Sequence, residues 1–186
     1  MTTSALGDLL TSSPPALDDA TLAALAQMHF GVAGGMRRLT SERDLNLQIT
    51  TAAQSYVLKL TNPAEPSEVT DFQTKALLHL EQSGLHVPRV IRTLSGATEA
   101  VLPQGTLRLL TYLYGVPVHQ SPRTAAQTRA MAGMAARLTI GLSGFSHPAS
   151  DHVLQWDIKQ AAALRPLLAA IADDNLRATA TQILDR

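Results

Sequence analysis

The chain has no cysteine among its 186 residues. A disulfide framework, a thiolate zinc site and a thiol nucleophile are excluded, and a cytoplasmic setting suits the composition. Net charge is missing as well, because 15 Lys and Arg face 15 Asp and Glu. A nucleic-acid binder neutralises phosphates with a clear excess of cations, so that class is set aside. No apolar run approaches the ~18 residues of a membrane span. The first ten residues lack the basic start of a leader peptide. A soluble chain without membrane contact is expected. The 6 histidines include no His-Glu-x-x-His or His-x₃-His pattern. His147 and His152 lie across a proline and read as loop and helix-cap residues rather than metal ligands. Ser143 and Ser146 sit near glycines but in no G-x-S-x-G elbow, so neither reads as a nucleophile.

What is present begins with material for a core: 45% of residues are hydrophobic, in a length that suits one domain or one and a half. The informative stretch is Ser55-Tyr56-Val57-Leu58-Lys59-Leu60. Tyr56, Leu58 and Leu60 fall on one face and Val57 and Lys59 on the other, the period of a strand packed on its first face. A cation set inside an apolar strand is costly unless an anion meets it. In a nucleotide-dependent phosphotransferase that anion is a phosphate, and a helix carboxylate braces the lysine. A sheet-edge lysine reaching solvent is the plainer alternative.

Residues 1–15 read as an arm with one helical turn at Ala5–Leu10, and Asp18 and Asp19 then open a helix to about Met28. His29–Leu39, carrying Gly31, Gly34 and Gly35, and Leu45–Thr50 read as two strands joined by the polar turn Thr40–Asp44. With Tyr56–Leu60 they form an antiparallel meander. Pro63 and Pro66 end the third strand. Ser67 reads as the cap of a helix bearing Val69, Phe72, Ala76, Leu77 and Leu80 at helical spacing, stopped at Ser83-Gly84. Val87–Ile91, Thr98–Leu102 and Thr106–Leu113 read as further strands. Helices are expected over Arg123–Leu142 and Asp151–Leu164, from Pro166, and over Asn175–Leu184. The fold class is α+β: an antiparallel five-stranded sheet with one helix, followed by more helices.

Taken in order over about residues 30–160, several strings resemble the aminoglycoside phosphotransferase and choline kinase superfamily. They are Ser41–Asn46, Tyr56–Leu60, Asn62–Pro66, Ala76–Leu80, Val87–Val90 and Arg108–Leu113. Within that superfamily the chain looks most like hydroxylysine kinases and the kinase-like domains fused to class III aminotransferases. The resemblance implies an N-terminal arm and helix over 1–29, a protein-kinase-like small lobe over 30–113, and a hinge connector with an incomplete helical large lobe over 114–186.

It also implies site roles. Lys59 matches the lysine on the nucleotide's α- and β-phosphates, and Gly34 and Gly35 match the start of the phosphate-covering hairpin. Arg43, Asp44 and Asn46 match a polar string lining that hairpin. Thr111 and Leu113 match the hinge whose backbone reads adenine. For the complete enzyme the implied cofactor is ATP or GTP with Mg²⁺, and the implied acceptor is a small hydroxylated amine. Gln73 falls where many relatives carry the lysine-bracing glutamate, which is a departure. Asp71 and Glu68 point elsewhere on a helix turning ~100° per residue and read as surface groups.

The resemblance further implies a His-x-Asp catalytic string and a metal-binding aspartate, and neither is in this sequence. Two readings follow: the nucleotide-side portion of a small-molecule kinase, inactive in this form, or a non-catalytic kinase-like module. In the second, the chain serves to bind a nucleotide, to self-associate, or to pair with a fused C-terminal domain such as an aminotransferase.

Overall fold

The computed structural model describes residues 12–154 and 157–185. They fall into two compact units, one of residues 13–150 and another holding residues 151–185. The arm expected at Ala5–Leu10 and Trp156 lie outside the described residues.

In the first unit, α1 spans Asp19–Phe30. Asp18 caps it by accepting from the Thr21 amide at 2.7 Å, and Gly31 closes it in the left-handed conformation at φ 67°. Leu22, Ala26 and Phe30 recur one turn apart and are buried in a core with Leu47, Leu58 and Leu109. Each fully buried leucine contributes about 1.5–3 kcal/mol. The helix therefore belongs to the sheet's hydrophobic core.

The strands are β1 Gly35–Leu39, β2 Leu45–Thr50, β3 Ser55–Leu60, β4 Val90–Ile91, β5 Ala100–Leu102 and β6 Gly105–Thr111. All pairings are antiparallel, in the order β1-β2-β3-β6-β4, with β5 on β6 as well. The sheet has six strands rather than the expected five, because β5 turns back on β6 through Pro103-Gln104. Gly105 makes that turn at φ 131°, against the Thr61 carbonyl where a Cβ has no room. β4 is shorter than the Val87–Ile91 reading, since Pro88 has no amide to give a ladder.

Helix α2, Ser67–Leu80, covers the opposite face of the sheet from α1 at its β6 side. Ser67 is its first helical residue and not its cap. The Pro66 carbonyl takes the first bonds, from Val69 and Thr70 at 3.0 and 3.3 Å. Gly84 ends the following turn at φ 71°, at the stop read from sequence. Helix α3, Ala125–Gly141, is capped by Thr124, and only Gln127, Met134, Leu138 and Gly141 along it are partly shielded. Gly141 lets it approach α2 closely, since a Cβ there would lie 2.9 Å from Leu80 Cδ2.

The second unit pairs a tight helix, Ile158–Ala170, with α4, Asp174–Leu184. Asp157 caps the former at the Lys159 amide, 3.0 Å away, and Pro166 lies within it. The expected break at Pro166 is absent, and the helix expected from Asp151 starts after Asp157 instead. Leu167, Leu168, Ile171 and Ile183 line an apolar cleft of about 390 Å³ between these helices. Among the described residues no helix is long and apolar enough to cross a membrane.

Candidate nucleotide site

Strand register arranges the site. Leu39, Asn46, Lys59 and Arg108 stand in one row across β1, β2, β3 and β6, on the face away from α1. The next row on that face is Arg37, Gln48, Val57 and Leu110. Val57 and Leu110 are half-buried, an apolar stretch between the charged row and Thr111.

The Lys59 ammonium is bonded to Asp44 Oδ2, with the two side chains only 23% and 18% exposed. Asp44 Oδ1 accepts from the Asn62 amide at 3.0 Å. Asn62, fully buried, donates from Nδ2 to the carbonyls of Arg43 and Ser13 at 3.1 and 2.9 Å. Arg43 Nη2 reaches Glu65 Oε2 at 3.1 Å. The turn at 40–44 is thus fastened to the loop after β3 at several points. Asn46, the cross-strand neighbour of Lys59, has its Oδ1 buried with no hydrogen-bond partner among the described residues.

Gln73 does not meet Lys59. Its Oε1 accepts from Arg108 Nη2 at 3.0 Å, and Arg108 also donates to the Thr70 carbonyl and to Thr74 Oγ1 at 3.3 and 3.1 Å. Arg108 is only 2% exposed. Burial pulls its guanidinium below the ordinary value, while Glu99 acts the other way. Glu99 is pushed up by burial, against the pull of Arg108, and its Oε2 has no partner among the described residues. The signal for Arg108 was in the sequence: Leu107-Arg108-Leu109 is a cation inside an apolar strand, as Lys59 is.

Asp71 lies on the outer side of α2, half-exposed. Hydrogen bonds from Lys75 at 2.7 Å and His147 at 2.9 Å hold its carboxyl below the usual range. His147 Nδ1 also accepts from the Ala149 amide at 3.1 Å, and Phe145 packs on Phe72 at 5.9 Å, so this loop is stapled to α2.

Gly34 and Gly35 sit at the far end of the hairpin from Lys59. Gly35 pairs with Thr50, whereas the row of Lys59 contains Leu39, four residues or ~13 Å further along β1. Gly34 is explained by packing, because a Cβ there would collide with the Thr50 carbonyl. The turn beside Lys59 is 40–44, which has no glycine.

Thr111 is opposite Tyr56, three residues or ~10 Å from Lys59 along β3. Its amide donates to the Arg89 carbonyl at 2.9 Å, and its hydroxyl accepts from the Arg89 amide at 2.9 Å. The Tyr112 amide is bound to the Ser55 carbonyl at 3.0 Å. Leu113, the next residue, is 38% exposed. Thr111 and Leu113 line an open cleft of about 420 Å³ with Gly84, Leu85 and Arg89. Tyr114 folds back to donate to Ser55 Oγ at 2.7 Å and meets Tyr112 edge-on at 5.2 Å. Nothing in the sequence marked that return. Among the described residues no group of three His, Asp or Glu side chains converges to hold a metal ion.

An antiparallel sheet with a helix beside a strand lysine, running into a hinge, is a protein-kinase-like small lobe. The chain belongs to the phosphotransferase enzyme family, which it matches over residues 35–186. It is 24% identical over 196 residues to hydroxylysine kinase of Mus musculus, covering 93% of this chain and 52% of that protein. In fold it is similar to an amicoumacin kinase solved with AMP-PNP, Ca²⁺ and Ami (TM-score 0.60, 14% identity, 83% of this chain and 53% of that one). It is also similar to a spectinomycin phosphotransferase solved with ADP and its antibiotic (0.57, 13%, 89% and 53%). A third similar fold is a microcompartment-associated aminopropanol kinase (0.58, 16%, 81% and 49%). The chain spans about half the length of these relatives.

Proposed function

We propose that this chain is the nucleotide-side portion of an ATP- or GTP-dependent phosphotransferase that acts on a hydroxyl of a small amine: an amino alcohol, a hydroxylated amino acid or an amino sugar. The observation that carries the reading is Lys59, a shielded ammonium on the open face of the sheet, ~10 Å along one strand pair from the hinge, in a chain of the phosphotransferase family. Lys59 has three donors and spends one on Asp44, leaving two for phosphate oxygens. Arg43 and Asn46 flank it from the 40–44 turn and β2. On this reading Val57 and Leu110 give the base an apolar surface, and backbone groups at Thr111 and Leu113 read its polar edge, the Thr111 amide itself being held by the Arg89 carbonyl.

The acceptor class rests on the named activities of the relatives, hydroxylysine kinase and aminopropanol kinase. In such a transfer the acceptor oxygen bonds to the γ-phosphorus as the bond to the nucleoside diphosphate breaks, and the acceptor proton passes to a base. Lys59, already a cation, holds phosphates and is not that base. The test is titration of a fluorescent ATP analogue into the chain and into Lys59→Ala. Saturable binding that weakens at least tenfold in the variant supports the reading, and equal binding by both removes Lys59 from the site.

A further inference from the structure

We propose that Asp44, in the hairpin turn, is the residue that positions Lys59, in place of a carboxylate on α2. The proposal rests on the reading of Lys59 as a phosphate ligand, and adds which group holds it in place and why.

Lys59 and Arg108 are cross-strand neighbours on one face. Two cations opposite each other repel, so each needs its own counter-group. The α2 side chain nearest this row, Gln73, is taken by Arg108 at 3.0 Å. A neutral amide oxygen serves a guanidinium that also has the Thr70 carbonyl and Thr74, but it brings no charge to Lys59. Of the other acids nearby, Asp71 is committed to Lys75 and His147 and Glu65 to Arg43, while Glu99 acts on Arg108 and makes no ion pair with Lys59. Asp44 is the anion bonded to Lys59.

Asp44 is also built to stay there. Its second oxygen is held by the Asn62 amide, and its turn is tied down by Asn62 Nδ2 on the Arg43 carbonyl and by the Arg43–Glu65 pair. A surface carboxylate that had merely met a lysine would lack these further bonds. Because only one ammonium proton is used, an arriving phosphate joins Asp44 on Lys59 and need not displace it. The brace therefore comes from the strand side of the site. The position of α2 is left to Arg108, so movement of α2 does not release Lys59.

The test uses Asp44→Asn, which keeps an oxygen for the Asn62 amide, beside Gln73→Ala and Lys59→Met. The first readout needs no nucleotide: the ¹H–¹⁵N signal of the Lys59 ammonium at low temperature, assigned by its loss in Lys59→Met. It is expected in the parent chain and in Gln73→Ala and absent in Asp44→Asn. Its persistence in Asp44→Asn, its loss in Gln73→Ala, or its absence from the parent chain overturns the proposal.

The second readout is affinity for a fluorescent ATP analogue, with an expected loss of about tenfold in Asp44→Asn. No further loss is expected when Asp44→Asn is added to Lys59→Met, because Asp44 acts through Lys59. A further loss in that background overturns the proposal. Should Lys59→Met bind the analogue as the parent does, the phosphate role of Lys59 fails, while the ammonium signal still decides what holds it.

Discussion

Lys59 and Arg108 face each other across β3 and β6, and they are satisfied in opposite directions: Lys59 by Asp44 from the hairpin turn, Arg108 by Gln73, Thr74 and Thr70 from α2. One cation stays on the open part of the face and the other is sealed under the helix. This division sets the behaviour expected of several variants.

Arg108→Met should destabilise the chain by about 2–4 kcal/mol, read as a lower urea midpoint at constant slope. It strands Gln73 and Thr74 and leaves Glu99 without its nearby cation. The double variant Arg108→Met/Glu99→Gln should recover part of the loss, since it removes the uncompensated acid as well. Full additivity of the two changes would mean that the residues are not coupled.

Glu99 gives a pH dependence of definite sign. Its folded carboxyl titrates above the unfolded one, because burial outweighs the pull of Arg108. The folded state thus binds the extra proton, and the stability from this group is fully present below the unfolded value. It is lost as pH rises through the raised folded value. Glu99→Gln should flatten that decline in a series of urea melts from pH 4 to 7 and raise stability at pH 7. A parent and variant differing by a constant across the series would contradict the assignment.

The two hairpin glycines should part company. Gly34→Ala places a methyl against the Thr50 carbonyl and should cost about 1–3 kcal/mol. Gly35→Ala meets open space and should stay within about 0.5 kcal/mol in a thermal melt. If Gly35→Ala nevertheless weakens binding of an ATP analogue, the backbone at Gly35 approaches the ligand.

The 186-residue chain should not transfer phosphate. On the proposed reading Lys59 holds phosphates, but the sequence contains no His-x-Asp string, and the described residues form no cluster of three metal-ligating acids or histidines. ATP consumption measured across amino alcohols, hydroxylated amino acids and amino sugars should stay at the buffer rate. Turnover that disappears in Lys59→Ala would refute this.

The strand periods and breakers were enough to locate α1, the three-strand meander, α2 with its stop at Gly84, and the last strand before the hinge. Alternation and capping are local and act within a few residues. The same locality made Lys59 conspicuous, and Arg108 equally so had the one rule been applied twice. Its limits show at the ends of elements, as at Ser67, which sits inside the helix because the Pro66 carbonyl accepts the first bonds, and at Val87–Ile91, shortened by Pro88.

Which partner each charge takes was decided by the tertiary structure. Asp44 lies 15 positions from Lys59, and Gln73 lies 35 from Arg108. The family resemblance put Gln73 at the position that braces Lys59 in relatives, but the sheet register put Arg108 within its reach instead. Register likewise carried Gly34 and Gly35 to the Thr50 end of the hairpin, leaving the glycine-free turn at 40–44 beside the lysine. Local sequence determines which residues form strands and which face each presents, because those choices cost or gain free energy within a few bonds. The pairing of charges across the sheet is fixed only when the strands align and the helix settles on them, since the energy of a buried cation depends on what surrounds it in space.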